Sequence, residues 1–283
     1  MPKATLTSAF SKMSYCYLFV PGHRADRFEK AHTSLANFIV IDLEDAVAPQ
    51  DKILARKNVL AWLSSAATHT RKTIVRINGM ETEYFNEDVK ALSNQAVAAI
   101  MVPKVESAQV LEQLDAHIEN KHIPFIPIIE SALGLVNLHA IAHGPRVDRL
   151  AFGSVDFQLD SGIPSEGQAL LFARSSIVIA SAAAKLKSPI DGVTLELGES
   201  KQLLHDVEYA KSLGFGAKLC IHPSQLSVTI SGFKPSEKEV AWAREVCQAS
   251  DLAHGSAVRL NDKLIDLPVL LRAKRILEDV SED

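Results

Sequence analysis

Cysteine is scarce in this chain of 283 residues. Cys16, Cys220 and Cys247 are widely spaced, odd in number and without metal-ligand spacing. That excludes a disulfide framework, and the three read as buried free thiols. Basic residues are not in excess either. A net charge of −4 argues against a general nucleic-acid or membrane-surface binder, since both need a basic face; a local basic pocket for a phosphorylated ligand stays open. No apolar run approaches the roughly 18 residues of a membrane helix. Residues 1–14 carry Lys3 and Lys12 but no apolar h-region or cleavage motif, so they do not read as a signal peptide. The expectation is a cytoplasmic protein that binds neither nucleic acid nor membrane. GxGxxG and Walker motifs are missing, which argues against dinucleotide oxidation and ATP-driven chemistry. Among the ten histidines no HxxxH pair or other ligand spacing is taken as a metal site.

What is present is an alternation. Hydrophobic residues make up 47% and charged residues 23%, ordinary for a globular protein with a sizeable core. Short β-branched runs occur at 17–21, 38–44, 73–78, 99–104, 125–130, 149–154, 192–197 and 217–223. Helix-like stretches at 51–65, 86–95, 107–119, 131–143, 168–187 and 200–212 separate them. Near-continuous apolar strands alternating with helices mean a parallel sheet covered on both faces. Eight such units predict an α/β fold, a TIM (β/α)8 barrel over residues 14–233. Residues 234–283 form an extension: a helix at 234–250 with Ser236 and Glu239 as a capping box, a hairpin around Asn261-Asp262, and a helix at 269–279.

The strand ends are polar. In order they give His23 and Arg24, Asp42 with Glu44 and Asp45, Arg76 and Asn78, Lys104 and Glu106, Glu130, Asp156, Glu196, and His222. A barrel gathers these ends on one face, where active sites lie. Glu130 and Asp156 are one β/α unit apart, so adjacent strand ends would carry them. Two such carboxylates either share a proton or bind a hard cation such as Mg²⁺ or Mn²⁺; the plainer alternative is that each pairs with a Lys or Arg. Arg76, between Val75 and Ile77, suits a substrate carboxylate. It equally suits a buried ion pair with Asp42, Glu44 and Asp45, which would then orient it from behind. His222 is a weaker candidate base.

YLFVPGHRADRFEKA (17–31), VIDLEDAVAPQDKILAR (40–56), VRIN (75–78), MVPKVES (101–107), PIIESALGL (127–135), RLAFGSVDF (149–157), PIDGVTLEL (189–197) and AKLCIHPSQL (217–226) cover most of the chain. Together they resemble the citrate lyase β-subunit-like proteins of the HpcH/HpaI aldolase superfamily, which include malyl-CoA and citramalyl-CoA lyases. The resemblance implies Mg²⁺ on Glu130 and Asp156, with Arg76 on the carboxylate of an oxoacid. It also implies Phe19, Arg24 and Lys30 near a CoA-thioester substrate. The activity implied is retro-aldol cleavage of a 3-hydroxy-3-carboxyacyl thioester to an oxoacid and acetyl-CoA. LNDKLIDLPVLLRAKRIL (260–277) resembles the tail that reaches a neighbouring active site in these lyases. That makes Asp266 a candidate acid/base, in a homotrimer or hexamer; a helix N-cap is its other reading. Glu196 stands where the family more often has Asp. A citrate lyase β subunit acting on citryl-acyl carrier protein, a malyl-CoA-type thioesterase and a non-catalytic CoA- or oxoacid-binding protein are the competing readings.

Overall fold

The computed structural model describes residues 14–197, 201–252, 257–261 and 263–281. Residues 1–13 and Asp262, with the readings made of them, lie outside these. Eight parallel strands follow one another around a closed barrel: β1 (Cys16–Pro21), β2 (Phe38–Asp42), β3 (Thr73–Arg76), β4 (Ala99–Val102), β5 (Phe125–Ile129), β6 (Ala151–Phe152), β7 (Ile190–Asp191) and β8 (Ala217–Cys220). β8 pairs back onto β1, with Tyr17 opposite Leu219, and so removes both sheet edges. The predicted TIM barrel is the fold.

Side chains alternate across each strand. One parity fills the barrel: Tyr17, Val40, Ile74, Met101, Ile126, Ile128, Ala151, Ile190 and Leu219 form a single buried cluster. Continuing that parity by two residues, toward the C-terminal strand ends, reaches Phe19, Asp42, Arg76, Glu130 and Ile221. The packed core therefore ends in a layer that carries charge.

β7 differs from expectation. Residues 192–197 are not a strand; the pairing is made by Ile190 and Asp191. A Cβ on Gly192 would stand 2.5 Å from Ser154 Oγ and 3.1 Å from the Phe152 carbonyl, so the chain passes β6 at a distance only glycine allows. Beyond it, the carbonyls of Thr194 and Glu196 accept from the Gln225 side chain, both at 2.8 Å, instead of from a ladder. On the outer side of the barrel Asp191 is buried between Arg174 Nε at 2.9 Å and Lys218 Nζ at 3.1 Å. Burial pushes the Asp191 carboxyl up, but the two cations outweigh it and hold it below the usual range.

Ser14–Ile230 form one compact unit, and the chain from Ser231 onward belongs to a second. In the second, the helix Glu237–Leu252 opens on the expected capping box: Ser236 N–H donates to Glu239 Oε2 at 2.8 Å, and Glu239 N–H to Ser236 Oγ at 3.2 Å. β9 (Val258–Leu260) and β10 (Lys263–Ile265) pair antiparallel, with Asn261 left-handed at the turn. A last helix spans Leu267–Ser281. Ala243, Val246, Ile265 and Ala273 form this unit's core. Among the described residues no helix is long and apolar enough to cross a membrane.

Candidate active site

A cavity of about 340 Å³ opens at the C-terminal ends of the barrel strands. Phe19, Asp42, Asp45, Arg76, Glu130 and Asp156 line it, with Ile128, Phe152, Val193, Leu195, Leu219 and Ile221 supplying apolar wall. Six of the sequence-predicted residues thus meet in one place.

Arg76 is clamped from below. Nε and Nη2 donate to Asp42 Oδ1 and Oδ2, each at 2.7 Å, while Nη1 lies 3.0 Å from Glu44 Oε2. The buried ion pair foreseen as one reading of Arg76 is present. Burial opposes the Asp42 charge, but Arg76 and two backbone N–H groups hold its carboxyl below the ordinary range. Burial likewise disfavours the Arg76 charge, and Asp42, Glu44 and Asp45 more than restore it. The Phe19 ring sits 4.7 Å from the guanidinium carbon, a cation–π contact.

Glu130 directly follows β5 and is almost wholly buried. Burial, with the charges of Glu44 and Asp156 adding, pushes its carboxyl up to about 8. Oε1 accepts the Lys104 N–H at 2.6 Å. On its other side lies Gly153, where a Cβ would stand 2.4 Å from Oε2. Asp156 comes from the first turn of the helix Ser154–Ser161, not from a strand end. Among the described residues no group of three or more His, Cys, Asp or Glu is arranged to hold a metal alone. Two hard oxygen donors, one too buried to ionise without a counter-charge, do fit a small divalent cation whose other ligands are water and substrate oxygens.

Other predicted residues stand apart from the cavity. Arg24 pairs with Asp26 at 2.7 Å and Lys30 is exposed on the helix Phe28–His32; neither lines it. Glu196 is exposed in the loop after β7, so its extra methylene does not alter the lining. His222 is exposed and caps a short turn through Ser224. His139 and His143 do stand at HxxxH spacing, with ring centroids 4.4 Å apart, outside the lining. In the second unit, Asp266 Oδ1 accepts the Val269 N–H at 3.3 Å, the N-cap of its two readings.

Two lysines were given no role from sequence: Lys104 was named only among the polar strand ends, and Lys52 not at all. Lys104 Nζ donates to Glu44 Oε1 at 2.8 Å. Lys52 is buried and donates to the carbonyls of Leu43 and Glu44, at 2.7 and 2.8 Å, and to Asn78 Oδ1 at 2.6 Å. Asn78 in turn bonds Asp88 through its backbone and side-chain N–H groups.

A sequence model described as HpcH/HpaI aldolase/citrate lyase matches residues 16–223. The citrate lyase subunit beta of Leuconostoc mesenteroides subsp. cremoris is 32% identical over 92% of this chain and 91% of its own. A (3S)-malyl-CoA thioesterase of Cereibacter sphaeroides is 32% identical over 92% of each. Among solved structures, CitE from Mycobacterium tuberculosis, in complex with magnesium, acetoacetate and coenzyme A, superposes with a TM-score of 0.84 at 30% identity, over 95% of this chain and 98% of that one. Fold, matched segments and full-length relatives agree: the chain is a member of the HpcH/HpaI aldolase/citrate lyase family.

Proposed function

We propose that the protein is a Mg²⁺-dependent carbon–carbon lyase, with Mn²⁺ as an alternative ion, acting in the cytoplasm. Its substrate is a 3-hydroxy-3-carboxyacyl-CoA thioester of the citramalyl-CoA or malyl-CoA type, cleaved to an oxoacid and acetyl-CoA. One observation carries this: Arg76, Glu130 and Asp156 face a single cavity at the barrel mouth. A guanidinium there meets a carboxylate, and two oxygen donors beside it meet a cation. The CitE neighbour that holds magnesium and coenzyme A supports the reading.

Glu130 and Asp156 would hold the cation, which when bound polarises the substrate oxygens and lowers the hydroxyl pKa. Arg76, immobilised by Asp42, uses its remaining N–H groups on the substrate carboxylate and so orients the bond to be broken. Phe19, in the cavity wall, borders the thioester, and Arg24 and Lys30, outside the lining, are assigned to its CoA arm. Loss of the hydroxyl proton to a base lets the carbon–carbon bond break, its electron pair becoming the enolate of acetyl-CoA. Asp266, on the 234–283 extension of a neighbouring subunit in a homotrimer or hexamer, protonates that enolate as general acid.

The thioesterase relative favours a second reading, hydrolysis of the same thioester. Purified protein with Mg²⁺ is incubated with malyl-, citramalyl- and citryl-CoA, and oxoacid and free thiol are assayed separately. Oxoacid without free CoA is the expected result. Free CoA without oxoacid would establish the thioesterase instead. No turnover of any substrate, with EDTA indifferent, would remove the metal-lyase reading.

A further inference from the structure

Lys104 adopts φ +51°, in the left-handed region, two residues past the end of β4. For a residue with a side chain that conformation is strained. It persists where the surroundings over-determine it, commonly at functional sites. Two other described residues with side chains and positive φ in the barrel unit, Arg146 and Lys185, do not line the cavity or touch its acids. At Lys104 both ends of the residue are engaged. Its N–H donates to Glu130 Oε1 at 2.6 Å, and its ammonium donates to Glu44 Oε1 at 2.8 Å. Glu44 presents its other oxygen to Arg76 Nη1 at 3.0 Å.

We propose that Lys104 is a positioning residue that fixes two parts of the site at once, aiming Glu130 through its left-handed backbone and steadying Arg76 through Glu44 with its ammonium. The backbone half matters because the Lys104 N–H holds Oε1 while Oε2 occupies the space that a Cβ on residue 153 would take, 2.4 Å away. The ammonium half matters because Glu44 would otherwise be a buried acid with one cation to answer, free to compete for the Arg76 N–H groups that a substrate needs. The role rests on the lyase reading above, but it is tested separately from it.

Two substitutions separate the halves. Lys104→Asn keeps a residue at ease in the left-handed region and removes the ammonium. Lys104→Val removes the ammonium and, being β-branched, also opposes the backbone conformation. Mg²⁺ binding is measured by calorimetry without substrate, and kcat and KM with the best thioester. For Lys104→Asn, Mg²⁺ affinity should stay within about 3-fold of wild type, with kcat/KM down about 10–100-fold, the usual cost of losing an outer hydrogen-bond partner. Lys104→Arg should recover most of that loss. For Lys104→Val, Mg²⁺ affinity should fall by a further factor of about 10–100. Wild-type kinetics in Lys104→Asn overturn the ammonium role, and wild-type Mg²⁺ affinity in Lys104→Val overturns the backbone role. Wild-type protein that neither binds Mg²⁺ nor turns over a thioester overturns the underlying reading instead.

Discussion

Arg76 meets Asp42 side-on, with two parallel hydrogen bonds of 2.7 Å. Asp42 is fully buried and accepts two more from the N–H groups of Glu44 and Ala46, both at 2.9 Å. A lysine has no planar fork to match this. Arg76→Lys is expected to lower kcat/KM roughly 10–100-fold, the equivalent of a charge-assisted hydrogen bond of about 1.5–3 kcal/mol. Steady-state kinetics with the thioester, beside a melting curve to show a folded variant, check it; undiminished kcat/KM would mean the fork is not used.

Gly153 makes room for Glu130 by having no side chain. A Cβ there would sit 2.4 Å from Oε2 and 2.6 Å from the Glu130 Cβ. Gly153→Ala should therefore shift the carboxylate and weaken Mg²⁺ binding at least about 10-fold. Calorimetric titration of the variant reads this directly, and an unchanged affinity would show that Glu130 is not the ligand.

Protonation of Glu130 ties metal uptake to pH. In the metal-free protein its carboxyl, pushed up to about 8 chiefly by burial, stays protonated at neutral pH, whereas the unfolded chain ionises near 4.5. The folded state then holds the extra proton, so stability falls as pH rises from about 4.5 to 8. A divalent cation displaces that proton. Melting temperature without metal should decline across this window, and Mg²⁺ should restore it. Calorimetry in buffers of different ionisation heat should find close to one proton released at pH 7 and almost none above pH 9.

Outside the site, Asp191 is the common anion of Arg174 and Lys218. Asp191→Ala strands a fully buried ammonium. Denaturant unfolding should show a loss of about 3–5 kcal/mol. Because the folded Asp191 carboxyl titrates below the ordinary range, its contribution is present above about pH 4 and lost as pH falls through the lower, folded value. The gap between wild type and variant should thus hold from pH 5 to 8 and close in acid. A gap that widened below pH 4 would contradict the assignment.

The proposed sharing of a site between subunits predicts complementation. Glu130→Ala and Asp266→Asn are each expected to be inactive. Unfolded together and refolded as mixed oligomers, they should regain a fraction of wild-type turnover, because some sites then combine an intact Glu130 with an intact Asp266. Mixtures that stay inactive while the oligomers do exchange would exclude Asp266 as the neighbour's acid.

The strands were legible because burial on both faces leaves apolar runs, and the site because an acid or arginine ends such a run. Glu130 after PFIPII and Arg76 inside TIVRIN are visible for that reason. β7 was misplaced because the alternation of GVTLEL imitates a strand, while its carbonyls are in fact taken by Gln225. A charged residue amid AKLCI was a signal for the Lys218–Asp191 pair. It could not reveal which acid answers it, since that partner comes from another strand. The left-handed turn at Lys104 leaves no trace in sequence, because lysine has no preference for it.

Lys52 draws together what a protein engineer would treat as separate parts. Its ammonium is seated on two carbonyls after β2 and on the side chain of Asn78 after β3, and Asn78 is in turn anchored to Asp88. Those two loops are therefore not interchangeable modules. A specificity graft from a relative that replaces one without the other would leave a buried cation facing the wrong acceptors. The smallest transplantable piece is both loops with Lys52, Asn78 and Asp88 together.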